Sequence, residues 1–197
     1  MTKLVILDRD GVINQDSDSY VKTAEEWVPL PGSIEAISRL CQAGYTVVVA
    51  TNQSGIGRGL FDLDDLEAMH SKLSDLLLDA GAQLSGIFYC PHKPDDGCNC
   101  RKPAPGLLDA IAKEWDISLA GVPIIGDSLR DLQAGLVHQC IPILVRTGKG
   151  AKTESQLPEQ QEPALQQARV FDDLSQVVDY LLDAAPVNSN YEPEKQH

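Results

Sequence analysis

The chain is predicted to be an α/β protein, a doubly wound, Rossmann-like parallel sheet with helices on both faces, on three observations. Short β-branched runs alternate with helix-like segments along most of its length, the pattern of repeated strand-helix-strand units. The first strand candidate, residues 4–7 (LVIL), is apolar at every position, as a strand buried on both faces requires. Finally, 197 residues with 43% hydrophobic content suffice for one sizeable core and are few for two.

Taken in order, strands are expected at 4–7, 46–50, 86–89, 123–125, 141–145 and 169–171. Between the first two, Pro31-Gly32-Ser33 precedes Ile34, Ile37 and Leu40, a capping serine followed by apolar residues at helical spacing. Residues 62–80 repeat the scheme with Leu66, Met69, Leu73, Leu76 and Leu77. Helices over 105–115, 129–138 and 173–184 complete the set. Residues 149–167, rich in Gln, Glu and Pro, read as a surface excursion without function, and the expected layout is one domain over 1–185 followed by a frayed polar tail over 186–197.

Composition excludes several classes. A formal net charge of −13 argues against a polyanion-binding surface, so nucleic acid is not an expected partner. No stretch approaches the roughly 18 apolar residues of a membrane span, and the N-terminus lacks a secretory pattern; a cytoplasmic monomer is expected. Of five cysteines, three lie between residues 90 and 100, which in a reducing compartment reads as metal ligation before disulfide bonding. Cys41 and Cys140 read as core thiols.

In a doubly wound sheet ligands bind outside the carboxyl ends of the strands, and reactive residues of this chain cluster there. Asp8 and Asp10 follow the first strand, Thr51 and Asn52 the second, and Asp127, Ser128 and Asp131 the strand ending at Ile125-Gly126, while Lys102 arrives from the loop after 86–89. Residues two apart in an extended segment project to one side, so Asp8 and Asp10 should share the crevice while Arg9 points elsewhere. Gly11 lets the chain turn away and leaves room for a ligand. Three carboxylates in a small volume repel one another unless a cation is present. A hard ion that shares its shell with phosphate oxygens, Mg²⁺, is the natural remedy, and a phosphate ester the implied ligand. A lone D-x-D-G is common in turns; its combination with the Thr-ended strand, the distant Lys and G-D-x-x-x-D carries the reading.

The loop CPHKPDDGCNCRKP holds Cys90, His92, Cys98 and Cys100. Three thiolates and an imidazole satisfy tetrahedral Zn²⁺ with no position left for water, so the expected zinc is structural. Because Arg101 and Lys102 follow Cys100 directly, such a staple would fix the base of the lysine. His70 and His138 fall in helix-like segments as surface or satisfied core positions, and His197 in the tail.

LDRDGVI, VATNQ, RKP and IIGDSLRD together resemble the four motifs of the haloacid-dehalogenase-like phosphatases, over roughly residues 3–146. The resemblance implies two-step phosphoryl transfer through an aspartyl-phosphate. Asp8 would be the nucleophile and Asp10 the general acid and then base. Thr51 would hold phosphoryl oxygens, Lys102 would neutralise developing charge, and Mg²⁺ would sit on the Asp8 carboxylate, the Asp10 main-chain carbonyl and Asp127. Asp131 would orient Lys102.

Members of this family often insert a cap domain after the first or second motif. Here those intervals are filled by core elements and the cysteine loop, so no large cap fits and short loops must select the substrate. Within the family the chain is most similar to the sugar-bisphosphate phosphatases, which implies that Asp16, Ser17, Asp18, Ser19, Thr51, Asn52, Gln53, Ser54, Arg101 and Lys102 touch a phosphorylated sugar. Arg101 suits a second dianion. Ser128 stands where those relatives commonly carry lysine. Histidinol-phosphate phosphatases, DNA 3'-phosphatases and a non-catalytic zinc-stapled module are the alternatives.

Overall fold

In a computed structural model, which describes residues 3–183, six parallel strands form one sheet in the order β3-β2-β1-β4-β5-β6. The strands are β1 (Leu4–Leu7), β2 (Thr46–Asn52), β3 (Gly86–Cys90), β4 (Pro123–Gly126), β5 (Ile141–Val145) and β6 (Arg169–Phe171). Eight helices connect or cover them: α1 (Ser33–Gln42), α2 (Ser54–Gly57), α3 (Leu63–Asp79), α4 (Gly106–Glu114), α5 (Leu129–Leu136), α6 (Gly150–Glu154), α7 (Pro163–Gln166) and α8 (Leu174–Asp183). The expected tail, 186–197, lies outside the described residues. No helix among the described residues is long and apolar enough to cross a membrane.

Side chains alternate across each strand, and β1 shows what that does here. Val5 and Leu7 enter a core built with Ile37 and Leu40 of α1, Met69 and Leu73 of α3 and Val177 of α8. Leu4 and Ile6 enter the opposite core with Leu108 and Ile111 of α4. All four are buried, so β1 is the apolar axis of the molecule. The chain winds from β1 out to β3, then returns to place β4 on the other side of β1. The strand order reverses between β1 and β4, and the crevice at their carboxyl ends is where a doubly wound sheet binds its ligand.

Four expectations need correction. Strand β2 runs through Thr51 and Asn52 because both pair with β3, opposite Tyr89 and Cys90, so they belong to the sheet rather than to a loop after it. Ser33 does not cap α1: Gly32 holds that position with a left-handed φ of 76°, and the Ser33 hydroxyl donates instead to the Ile13 carbonyl at 2.7 Å. Cys41 is half-buried, its thiol near the Gln83 carbonyl, whereas Cys140 is buried as expected.

The fourth correction concerns 149–167, which is not a bare excursion. It folds into α6 and α7, and its Leu157 and Leu165 are buried against Leu132 and Leu144 in a small core of their own. Two leucines separated by polar residues carry too little periodicity to announce that packing in the sequence. Leu165→Ala should lower the unfolding free energy in urea by about 2–5 kcal/mol, whereas Glu159→Ala, at an exposed site, should change it by less than about 0.5 kcal/mol.

Candidate active site

The carboxyl ends of β1, β2 and β4 and the loop after β3 deliver their polar side chains to one cleft of ≈ 290 Å³. Asp8 leaves β1 with its amide donating to the Ile125 carbonyl at 2.9 Å, which ties it to β4 and so to Asp127. Carboxylate oxygens of Asp8, Asp127 and Asp131 lie within 4.8 Å of one another.

Room for Asp127 is made by two glycines in left-handed conformations, Gly11 (φ 83°) and Gly148 (φ 58°), where any added methyl would collide with its carboxylate. Gly126 is required for a different reason, since a Cβ there would overlap the Asp131 side chain. The strap after β5 then holds Asp127 in place. The Lys149 amide donates to Asp127 Oδ2 at 2.7 Å and the Thr153 hydroxyl to the Asp127 carbonyl at 2.8 Å, while Thr147 donates to the Gly11 carbonyl.

One cation answers this negative charge from within. Lys102 is 1% exposed, and its ammonium reaches Asp131 at 2.6 Å, Asp8 at 3.0 Å and the Ala50 carbonyl at 2.6 Å, which uses all three donors. Burial opposes its charge, but Asp131 and Asp8 outweigh that and hold its pKa above the ordinary value. The backbone of Lys102 is clamped as well: its amide donates to Asn52 Oδ1 and its carbonyl accepts from Asn52 Nδ2, each at 3.0 Å. Asn52 lines the cleft, yet its amide group is spent on the lysine.

A single ammonium does not neutralise three acids. Burial, Asp131 and Asp10 outweigh Lys102 and push Asp8 up to about 7, and burial with Asp131 and Asp8 pushes Asp127 up to about 8. Asp131 is committed, one oxygen to Lys102 and the other to the Ser128 amide (3.0 Å) and hydroxyl (2.6 Å); its pKa lies below the ordinary value because Lys102 and Ser128 outweigh burial. Asp8 and Asp127 are thus the pair left to share a cation. Two crowded oxygen donors whose charge is disfavoured without a counter-ion fit a hard divalent ion such as Mg²⁺. Ser128, in the position where lysine was expected by resemblance, serves as a partner of Asp131.

Asp10 faces a different environment. Its Oδ1 accepts from Arg9 Nη2 at 3.0 Å and Asn14 Nδ2 at 2.8 Å, and its Oδ2 from Arg9 Nη2 at 3.1 Å and Gln53 Nε2 at 2.7 Å. Burial raises its pKa, but Arg9, Asn14 and Gln53 together hold it below the usual carboxylate range. Arg9 was expected to point away from the crevice; instead its guanidinium, buried to 1% exposure, folds back onto Asp10. Gln53 also donates to the Thr51 hydroxyl at 3.0 Å, so Thr51 is set beside Asp10.

Of the remaining candidates, Asp16, Ser17, Asp18, Ser54 and Arg101 line the cleft. Ser19 does not; Tyr20, with a φ of 66°, takes that wall instead. Arg58 and Arg130, in the short loops 53–60 and 128–130 expected to select the substrate, line it too, and so does Lys149, which sequence reasoning missed because a lone exposed cation has no signature. Lys149 pairs with Asp16 across the cleft at 2.7 Å. Burial and the neighbouring Arg130 guanidinium hold the Arg101 pKa below its ordinary value, so two arginines share one wall.

Beside the cleft, Cys90, His92, Cys98 and Cys100 bring their ligand atoms within 4.8 Å of one another. Cys90 and Cys98 sulfurs are 3.7 Å apart, and His92 Nδ1 is 3.5 Å from Cys90 and 3.2 Å from Cys100. Zinc–sulfur bonds of ~2.3 Å in a tetrahedron put sulfurs ~3.8 Å apart, so the soft donor set fits Zn²⁺. Arg101 Nη1 donates to the His92 carbonyl at 3.3 Å, which ties the cleft wall to this loop.

Comparison with known proteins places the site in a family. A family model described as polynucleotide kinase 3 phosphatase matches residues 3–128, and one described as HAD-hydrolase-like matches 99–177. The D-glycero-β-D-manno-heptose-1,7-bisphosphate 7-phosphatase of Bordetella bronchiseptica is 55% identical over 93% of this chain and 99% of its own length. That of Pseudomonas aeruginosa is 53% identical over 91% of this chain and 97% of its own. A crystal structure of the D,D-heptose 1,7-bisphosphate phosphatase from B. bronchiseptica, complexed with magnesium and phosphate, superposes with a TM-score of 0.88 at 55% identity, covering 93% of this chain and 99% of that one. The Burkholderia thailandensis D,D-heptose 1,7-bisphosphate phosphatase gives 0.70 at 46% identity, over 91% and 98% of the two chains.

His70 of α3, expected at a helix surface or in a satisfied core position, sits 3.4 Å from Arg9 Nη1. Burial and the Arg9 charge press its pKa from 6.5 down to about 4. The unfolded chain therefore binds a proton that the folded chain refuses, and the stability this contributes is fully present above pH 6.5 and lost as pH falls toward 4. At ~1.4 kcal/mol per unit, discounted for partial exposure, urea unfolding should show wild type losing on the order of 1–2 kcal/mol more than His70→Gln between pH 7 and 4.5.

Proposed function

Because the chain belongs to the haloacid-dehalogenase-like phosphatases, we propose that it hydrolyses the 7-phosphate of D-glycero-D-manno-heptose 1,7-bisphosphate, a Mg²⁺-dependent phosphoric monoester hydrolysis through an aspartyl-phosphate. The observation that carries the chemistry is the buried ammonium of Lys102 held 3.0 Å from Asp8, while Asp8 and Asp127 stand close enough to share an ion. The magnesium and phosphate of the Bordetella structure support the same reading.

Asp8 Oδ1 accepts from the Arg9 amide and Lys102, leaving Oδ2 as the attacking oxygen. It bonds to phosphorus as the bond to the sugar oxygen breaks, and Asp10 gives that oxygen its proton. Asp10 rests as a carboxylate, so it takes up a proton from solvent as the anionic ester enters; the ester's charge raises its affinity for one. In the second step Asp10 takes a proton from the water that attacks the aspartyl-phosphate, and inorganic phosphate leaves. The Thr51 hydroxyl and adjacent amides hold phosphoryl oxygens, and Lys102 offsets the charge that builds on them. Asp8, Asp127 and the Asp10 carbonyl would hold Mg²⁺, which when bound would offset the acid cluster's charge and supply Lewis-acid polarisation of the phosphoryl group.

The bisphosphate assignment is supported by the identity to the Bordetella and Pseudomonas enzymes and by the cations on the cleft wall. Arg101, Arg130 and Lys149 suit a second dianion that a monophosphate such as histidinol phosphate lacks. Loops 14–20, 53–60 and 128–130 and the cysteine loop replace a cap. A 3'-phosphorylated DNA would need a basic track that a chain of net charge −13 is ill suited to offer. We place the enzyme in the reducing cytoplasm, as a monomer, with Zn²⁺ on Cys90, His92, Cys98 and Cys100 as a structural staple for Arg101 and Lys102.

Phosphate release measured across heptose bisphosphate, histidinol phosphate and 3'-phosphorylated DNA, with Mg²⁺ present, should favour the first by kcat/KM at least tenfold; preference for another substrate would overturn the assignment. Asp8→Asn should keep the wild-type circular dichroism and lose more than about 10³-fold in kcat; retention of most of the rate would remove Asp8 as nucleophile. Elemental analysis should find about one zinc per chain, and Cys98→Ser should lower both zinc content and kcat; zinc-free active protein would contradict the staple.

A further inference from the structure

Asp10 receives its hydrogen bonds from an assembly that extends well behind the cleft. Arg9 Nη2 lies 3.0 and 3.1 Å from its two oxygens, and Arg9 Nη1 lies 3.4 Å from His70 Nε2. A guanidinium has only donors, so Nε2 of His70 must present its lone pair and the ring proton sits on Nδ1. The chain of contacts runs Asp10, Arg9, His70, from the end of β1 to the middle of α3. Arg9 is buried and its Nε finds no partner, so among the described residues Asp10 and His70 are the hydrogen-bond partners that orient the fork. A buried arginine costs desolvation, and leaving its Nε unpaired costs more; a folded protein keeps such a group when the geometry it imposes is needed.

We infer that Arg9 and His70 are positioning residues for the proton-transfer step: His70 sets the rotation of the Arg9 guanidinium, and Arg9 sets the carboxylate plane of Asp10 so that it faces the departing oxygen. The inference rests on the reading of Asp10 as general acid given above. Neither residue lines the cleft, and each acts through Asp10. In the first step, transfer to Asp8, a misdirected acid matters only where the leaving group needs its proton; the second step needs Asp10 as base whatever group has left, so the first step is read from kcat/KM. An alkoxide leaving from a sugar phosphate needs that proton, whereas p-nitrophenolate leaves without it.

The test compares kcat/KM, which reports transfer to Asp8, for a sugar phosphate and for p-nitrophenyl phosphate in Arg9→Lys, His70→Leu, His70→Gln and Asp10→Asn. Arg9→Lys keeps the charge and loses the fork; its kcat/KM on the sugar phosphate should fall ~10- to 100-fold, with kcat/KM for p-nitrophenyl phosphate within about threefold of wild type. His70→Leu should show the same selective loss in milder form, and His70→Gln, which restores an acceptor, should recover most of it. A merely structural role would depress both substrates alike, and that result overturns the inference. Asp10→Asn separates the two readings. If it shows the selective loss and Arg9→Lys does not, positioning fails alone; if Asp10→Asn loses equally on both substrates, the general-acid reading fails with it.

Discussion

The structure is organised around a repulsion. Asp8, Asp127 and Asp131 are brought within 4.8 Å of one another at the carboxyl ends of β1 and β4, largely out of water, where like charges cannot all ionise without compensation. Lys102 compensates part of the charge, and what remains is carried by the two acids whose protons are held most strongly, Asp8 and Asp127. A site left in this condition is primed for a divalent cation and for the phosphoryl group that accompanies it. The geometry costs stability in the empty protein and returns it on binding.

Holding mutually repelling groups requires rigid backing, and each acid has its own. Asp8 is tied to β4 through its amide; Asp131 is held by Ser128 and Lys102; Asp127 is held by the strap 147–153, whose glycine and threonine contacts leave the carboxylate no other place to go. Asp10 is kept apart electrostatically, a low-pKa carboxylate beside high-pKa ones, because Arg9 stands behind it. Two acids two residues apart thus acquire opposite proton affinities from their surroundings, a separation that the proposed division between attack and proton transfer requires.

The four motif residues Asp8, Asp10, Thr51 and Lys102 were legible because each ends a β-branched run or follows a cysteine loop, and the parallel topology sends all such ends to one rim. The cysteine loop was legible from spacing, four soft ligands in a short stretch. What was not legible shares one feature, a contact made between segments distant in sequence. Arg9 alternates outward in an ideal strand, yet the chain turns at Gly11 and its side chain swings back to Asp10. Lys149 reaches the cleft from the strap after β5. Leu157 and Leu165 find their core only because α5 and β5 pass beneath them.

By itself the sequence determined the order of strands and helices, the alternation that buries β1 on both faces, and the chemical identity of the groups at the strand ends, since local periodicity and residue type suffice for these. The tertiary structure alone decided which acid is charged, which oxygen is already occupied and which cations line the cleft, because proton affinity and hydrogen-bond partnership depend on distances of a few ångströms between residues that lie tens of positions apart in the chain.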